Sequence, residues 1–401
     1  MHILMLSHGY PPTISGVTLV VQKVARAMVS LGHQVTVVTA SDHGAPYQVE
    51  DQGVILRRVR SAPNPFWSEG RLPLLTRDRL QEIVAEAQPD VINTHDGALL
   101  SWQLYLFEGG RGHIPEVLTC HFLPRFVSYY IHVGDTVERM IENLTWEYTV
   151  RMINTFDHVI FPTESQEVMF REEGLDAPST VISNGFDARR YRPTGEYADV
   201  ERRYGLPVGP RALFVGRLAP DKKIDILIRA VARIDSGHLL VVGRGDDRAR
   251  LEQLVDELGL DRRVHFLGFV PEADLPAIYR ASSLFAIASD VEVQSIPTLQ
   301  ATGTGLPVVA ADAAALPELV RDGENGCLVP PGDVEGFATA IGKILSNPDR
   351  MAAFGRASLN IAQRHSEERT FRAYEQLYSS MTLAAGQGRS TTASRRRGNS
   401  S

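Results

Sequence analysis

Cysteine is almost missing: 401 residues contain only Cys120 and Cys327. So distant a pair builds neither a disulfide framework nor a thiolate metal site, and a reduced, cytoplasmic chain is expected. Lysine is scarce as well, standing only at positions 23, 222, 223 and 343. Long apolar runs are absent. The longest, such as Leu239–Val242 and Leu306–Ala311, fall far short of the roughly 20 residues a spanning helix needs. The first residues, Met-His-Ile-Leu-Met-Leu-Ser-His-Gly, lack the basic stretch and long apolar run of a secretory leader, and read as a strand of the mature fold. No HExxH, Ser-His-Asp order, metal cluster, P-loop lysine or G-x-G-x-x-G fingerprint occurs. An excess of positive charge is also missing. Against 48 acidic residues stand 41 basic ones, for a net charge of −7. The first 185 residues hold 13 basic and 21 acidic side chains, and the remainder 28 and 27. Neither half is therefore a nucleic-acid platform. An anionic ligand would meet less repulsion in the second half.

What is present is an ordinary globular composition, 43% hydrophobic and 22% charged, which excludes a disordered or fibrous chain. The length suggests two or three domains. Apolar runs at Ile3–Leu6, Val35–Thr39, Val54–Val59, Val91–Thr94, Val117–Cys120 and His158–Phe161 read as strands. Between the first two, Val20, Val21, Val24, Ala27, Met28 and Leu31 recur at helical spacing, giving a parallel crossover unit. A helix is expected over Leu80–Gln88 and another over roughly 134–155. A second series of strands begins at Ala212–Val215 and continues through Leu239–Val242, Val264–Leu267, Leu284–Ala288 and Pro307–Ala310, with helices between. The alternation predicts an α/β protein with two Rossmann-like, doubly wound parallel sheets and ligands at the carboxyl edges of their strands. Asn184-Gly185 and Pro193 mark the boundary. The expected division is 1–184, 185–365, a last helix over 366–384, and a Gly/Ser/Thr/Arg-rich disordered tail over 385–401.

Several loops carry residues suited to chemistry. Gly9–Gly16 lies between a strand and a helix, and reads either as a phosphate-facing helix start or as a plain tight turn. Gly216-Arg217-Leu218-Ala219-Pro220-Asp221-Lys222-Lys223 follows a strand and precedes an amphipathic helix. Arg217 and Lys222 can converge there, the first as a bidentate fork and the second as a point charge. The bland reading is a solvated basic loop. Glu292, Ser295 and Ile296 also follow a strand, where a carboxylate can accept from sugar hydroxyls and N–H groups can face a phosphate. An ordinary capped helix start, with Asp290 or Ser295 as the cap, is the alternative. His121 ends a strand in the first half, with His8, His95 and Asp96 near other strand ends. A lone histidine is more often structural than catalytic.

The ordered combination resembles the GT-B-fold glycosyltransferases of family 4. It comprises Gly16 with Gly32-His33, His121, Ser183-Asn184-Gly185-Phe186-Asp187, Val215-Gly216-Arg217-Leu218 with Lys222, Gly243-x-Gly245, Val264–Phe269, Glu292, Gly305-Leu306-Pro307-Val308-Val309, Asn325-Gly326 and Pro331-Gly332-Asp333. The resemblance spans about residues 1–383. It implies two domains facing a cleft, with the C-terminal helix returning to the N-terminal domain, which receives the acceptor. Arg217 and Lys222 match the pair that holds the donor diphosphate, with Gly216 beside them. Glu292 matches the first Glu of an E-x7-E motif that contacts the transferred sugar. His121 matches a histidine near the sugar C6 hydroxyl, and Gly16 a glycine that closes over the phosphates. Gly243 and Gly245 match a loop near the nucleoside, and Phe269 and Val270 follow the strand that frames the base. The second Glu of the motif is Gln300 here, and Lys223 stands where a glycine is usual.

The resemblance implies a retaining transfer of a hexosyl group from a UDP- or GDP-linked sugar to a hydroxyl, with no metal required and no tightly bound cofactor. The acceptor is read as a membrane lipid such as diacylglycerol or phosphatidylinositol, or as a soluble glycan or small molecule. Arg57, Arg58, Arg60, Pro63, Phe66, Trp67 and Arg71, followed by Phe126, Tyr129, Tyr130 and Ile131, form basic and aromatic stretches suited to a membrane interface. A peripheral position at the inner face of the membrane goes with the lipid reading. The alternatives are a GT-B protein that binds sugar nucleotides with weak or no transfer, a sugar-nucleotide epimerase, and a phosphorylase.

Overall fold

The computed structural model describes residues 1–13, 15–64, 70–95, 114–124 and 135–397. The chain divides into two units, Met1–Ile182 with Thr370–Ser401, and Ser183–Arg369.

Among the described residues the first unit has ten strands: β1 His2–Leu6, β2 Gln34–Ala40, β3 Tyr47–Asp51, β4 Val54–Val59, β5 Ser61–Pro63, β6 Arg71–Pro73, β7 Val91–Thr94, β8 Glu116–Thr119, β9 His158–Phe161 and β10 Ser179–Val181. Eight form one sheet in the order β10-β9-β8-β7-β1-β2-β4-β3, while β5 and β6 pair separately. Every described neighbour pair in the large sheet is parallel except β3–β4. That antiparallel edge was not expected from the sequence. Its strand, Tyr-Gln-Val-Glu-Asp, is mostly exposed and polar, so it carries little apolar signal. The hairpin closes through Gln52 and Gly53, both at positive φ (51° and 85°), which matches the twist of paired strands.

The helix Gly16–Ser30 buries Val20, Val21, Val24, Ala27 and Met28, as its spacing predicts. Leu31 is the exception: it is the cap residue and is half exposed. The last helix, Glu367–Arg397, places Tyr374 and Tyr378 in the interior of this first unit, each fully buried. Helical backbone continues to Arg397, through residues 385–397 that composition assigns to a disordered tail. No proline lies in this stretch to break the i→i−4 ladder. Residues 398–401 are outside the described set.

The second unit carries β11 Arg211–Val215, β12 His238–Val242, β13 Val264–Gly268, β14 Leu284–Ile287, β15 Val308–Ala311 and β16 Gly326–Val329. They form one parallel sheet in the order β13-β12-β11-β14-β15-β16. The core is apolar and mostly aliphatic, as a parallel sheet between helices requires. β16, not among the strands read from the sequence, begins at a glycine for a clear reason. A Cβ on Gly326 would sit 1.8 Å from the Val308 carbonyl oxygen of the adjacent strand. The amphipathic helices Val334–Leu345 and Pro348–Ala362 complete this unit.

Both sheets reverse strand order at one point. In the first, β2 and β7 flank β1; in the second, β12 and β14 flank β11. Ligand crevices open beyond the carboxyl ends of such strands. The loops following β1, β7, β11 and β14 therefore border such crevices. Among the described residues no helix is long and apolar enough to cross a membrane.

Candidate active site

In the second unit, β11 feeds Gly216–Ala219, then the single 3₁₀ turn Pro220–Lys222. That turn aims three charges at one place. Asp221 is 1% exposed and lies beneath two cations. Arg217 donates from Nη2 to Asp221 Oδ1 at 3.1 Å, and Lys222 Nζ lies 3.3 Å from Oδ2. Lys222 Nζ also donates to Glu292 Oε1 at 2.7 Å. Glu292 comes from the loop after β14, so the contact joins the two sides of the switch point. Burial alone would lower the Lys222 pKa, but the carboxylates of Glu292 and Asp221 outweigh it and hold the ammonium above its ordinary range. The solvated basic loop is thereby set aside. Asp221, given no role on sequence grounds, is the buried anion that orients both cations.

Lys223, in the place of a usual glycine, has φ 49° and ψ 39°, in the left-handed region. The backbone conformation explains a preference for glycine there. The lysine side chain pairs with Asp290 at 3.7 Å.

The helix Ile296–Gly303 is capped by Ser295, whose hydroxyl accepts from the Thr298 N–H. Asp290 is not the cap. Pro297 has no N–H to satisfy, so the Ser295 and Ile296 N–H groups are the first-turn donors left outside the cap. Gln294, given no role of its own on sequence grounds, accepts from the Asn184 N–H at 2.7 Å and the Ser183 hydroxyl at 3.3 Å. It thus ties the Ser-Asn-Gly turn to the Glu292 loop. Gln300 does not present a free carbonyl oxygen. Its Oε1 accepts from the Tyr279 hydroxyl at 3.0 Å, and both residues are buried.

The glycines after β12 have a structural explanation of their own. A Cβ on Gly243 would lie 1.8 Å from the Gly216 carbonyl oxygen, and one on Gly245 would lie 2.1 Å from that of Leu218. Leu218 N–H donates to the Arg244 carbonyl at 2.8 Å. These glycines let one loop lie directly on the backbone of the Arg217 loop. Val270 is packed into the core, so only its backbone can meet a ligand. Phe269 is 45% exposed, with the Arg244 guanidinium 5.4 Å from its ring centre.

In the first unit, Ser15 and Thr18 form a reciprocal capping box at the start of the helix headed by Gly16. The N–H groups of Gly16 and Val17 take no part in it. The preceding loop is held from below. Tyr10 donates to Asp51 at 2.7 Å, Arg26 grips the same carboxylate with two nitrogens, and Arg58 donates to the Ala40 and Pro11 carbonyls. His121 follows β8, and its Nε2 lies 3.2 Å from Nδ1 of the fully buried His95, which follows β7. Burial, with His8 nearby, pushes the His121 pKa down to about 3, so the ring is neutral.

The basic stretch expected to face a membrane is largely engaged. Arg57 pairs with Glu86, Arg58 is buried under the loop after β1, and Arg71 bonds Ser61. Arg60 is exposed. Phe66, Trp67, Asp96, Phe126, Tyr129, Tyr130 and Ile131 lie outside the described residues.

Solved structures with this architecture include sucrose-phosphate synthase from Thermosynechococcus elongatus, with a TM-score of 0.78, 25% identity, and coverage of 96% of this chain and 99% of that one. Anabaena HepE, solved with UDP-glucose, matches with a TM-score of 0.76 and 23% identity over 95% and 100% of the two chains. The fold is therefore GT-B. In sequence, residues 14–190 match the family described as Glycosyltransferase Family 4, and residues 209–347 match Glycosyl transferases group 1. D-inositol 3-phosphate glycosyltransferase of Rhodococcus jostii is 31% identical, over 96% of this chain and 89% of that protein. Its namesake from Saccharomonospora viridis is 31% identical over 90% and 88%. The chain belongs to glycosyltransferase family 4.

Proposed function

We propose that this enzyme transfers a hexosyl group, with retention of anomeric configuration, from a nucleoside-diphosphate sugar to the hydroxyl of a phosphorylated polyol. The observation that carries the donor half is the Asp221–Arg217–Lys222–Glu292 network at the switch point of the second sheet. Breaking a sugar–diphosphate bond builds positive charge on the sugar and negative charge on the departing phosphate. Two preorganised cations, with the N–H groups of Ser295 and Ile296, answer that charge without a metal. Glu292 holds Lys222 in the resting enzyme. When a sugar arrives, its hydroxyls compete for the carboxylate, which releases the ammonium toward phosphate.

A retaining glycosidase would place two carboxylates about the scissile bond. Here the buried carboxylates are already committed to cations, and front-face attack assisted by the leaving phosphate fits better. The acceptor proton then passes to a phosphate oxygen. His121 acts on the sugar and the helix start at Gly16 on the phosphates. The acceptor class comes from the name of the relatives, which is that of an inositol 3-phosphate glycosyltransferase. The engagement of Arg57, Arg58 and Arg71 within the first unit also weighs against a lipid-facing strip.

A thermal-shift panel of UDP-, GDP- and ADP-sugars tests the donor half. One nucleotide series should raise the melting temperature, and Arg217→Ala with Lys222→Ala should abolish that rise. A full rise in the double variant would sink the assignment. Product formation with inositol phosphates against diacylglycerol vesicles decides the acceptor.

A further inference from the structure

The interior of the first unit holds a polar chain that ends on His121 and whose other members have no role in the transfer reaction proposed above. It begins at Thr119 on β8, whose hydroxyl donates to Asn93 Oδ1 at 3.1 Å. Asn93, on β7 and fully buried, donates from Nδ2 to the Tyr378 hydroxyl and faces His95 Nε2 at 3.1 Å. His95 Nδ1 in turn meets His121 Nε2 at 3.2 Å. The two imidazole planes lie 17° apart, with ring centres 5.5 Å apart.

The direction of each hydrogen follows from the chemistry of the groups. This orientation gives both Asn93 amide hydrogens an acceptor and its carbonyl a donor. Turned over, the buried amide would leave one N–H without an acceptor, which is the costlier kind of orphan. An amide nitrogen only donates, so His95 Nε2 must accept and carries no hydrogen. A neutral His95 then bears its hydrogen on Nδ1, aimed at His121 Nε2. His121, neutral as well, is left with its hydrogen on Nδ1. Among the described residues nothing meets that atom. Burial keeps both rings neutral, so a second hydrogen does not disturb the chain.

We infer that His95 is a positioning residue which, set by Asn93, fixes His121 as a hydrogen-bond donor through Nδ1–H rather than a proton acceptor. Building on the reading of His121 given under Proposed function, this specifies what the ring does there. It donates to an oxygen of the sugar and cannot take the acceptor's proton, which leaves that proton to the phosphate. The same chain reaches Tyr378, so the last helix contributes to setting the tautomer.

The test is long-range proton–nitrogen NMR of the full-length protein labelled with ¹⁵N-histidine, with His121 and His95 assigned through His121→Asn and His95→Gln. Both rings should show a protonated Nδ1 and an unprotonated Nε2 from pH 6 to pH 8. A protonated Nε2 on His121 in the wild type would overturn the inference, whether or not any donor is ever turned over. Asn93→Asp offers His95 a pure acceptor and should reverse every hydrogen. His121 would then move to the Nε2–H form, and kcat should fall tenfold or more with donor KM changed less than about twofold. His95→Gln, whose amide can still donate to His121, should retain more activity than His95→Phe. Wild-type kcat in both Asn93→Asp and His95→Phe would equally overturn the inference. Failure of all variants to transfer from any donor, with the wild-type tautomer as stated, would count against the proposed function alone.

Discussion

The Lys222 ammonium is mostly enclosed, yet its pKa stands above the ordinary lysine value because two carboxylates face it. Removing one of them separates its two roles. In Glu292→Gln, Asp221 still compensates Lys222, so the fold should persist. On the proposed role of Glu292, the sugar then loses a charged acceptor worth about 1.5–3 kcal/mol. Transfer should fall about 10- to 100-fold while stabilisation by the bare nucleoside diphosphate survives. Steady-state rates beside thermal shifts check this, and loss of nucleotide binding would show that Glu292 is needed to hold the cations in place. Arg217, Lys222 and Glu292 were all legible in the sequence, because charged residues after strands of a parallel sheet stand out. Asp221 was not, because its significance is its burial. Nor was the Tyr279 hydroxyl on Gln300, since the partners lie 21 residues apart on different helices.

Loop geometry, one level up, decides what the glycines are for. Gly243 stands at φ 138° against the Gly216 carbonyl. Gly243→Ala cannot be absorbed by a side chain moving aside, because the obstacle is backbone. We expect a loss of about 3 kcal/mol or more, read by denaturant unfolding, together with weaker donor binding as the Arg217 loop is displaced. A stability change below 1 kcal/mol would show that the loop moves freely. Lys223 gives a milder case. At φ 49° a Cβ costs about 1–2 kcal/mol, so Lys223→Gly should be more stable than Lys223→Ala by about 1 kcal/mol. Equal stabilities would remove the backbone explanation for a glycine preference. Strands with continuous apolar runs were legible at this scale. β3, β10 and β16 were not, because short or polar edge strands carry too few buried residues to mark a period.

For the whole molecule, neutral histidines that are buried or half-buried link stability to acid. His95 and His121 lie in the first unit and His365 in the second. Burial depresses all three, His121 to about 3 and His365 to about 4. Unfolded histidine takes up a proton near pH 6.5, whereas these do so only in far stronger acid. Their contribution is therefore complete above about pH 7.5 and is lost as pH falls through 6.5 toward 4. Each should cost about 1–2 kcal/mol by pH 5. Melting temperature should drop steadily over that range, and His365→Asn should reduce the slope. A flat profile between pH 7.5 and 5 would contradict the burial of these rings. The last helix matters at this scale too, since Tyr374 and Tyr378 complete the interior of a unit whose other residues end at Ile182, and Tyr378 meets Asn93 from 285 positions away.

Periodicity alone determined that this chain would form two α/β sheets, parallel but for the β3 edge of the first, because alternating apolar runs and amphipathic stretches must bury their faces in layers. The placement of charge after β11 and β14 was equally local. Tertiary structure decided which charges meet. It set Asp221 beneath two cations, committed Arg57, Arg58 and Arg71 to partners inside the first unit, closed Gln300 onto Tyr279, and aligned Asn93, His95 and His121 into one chain of hydrogens. Strand order and burial fix such contacts, and neither is written in the spacing of residues along the chain.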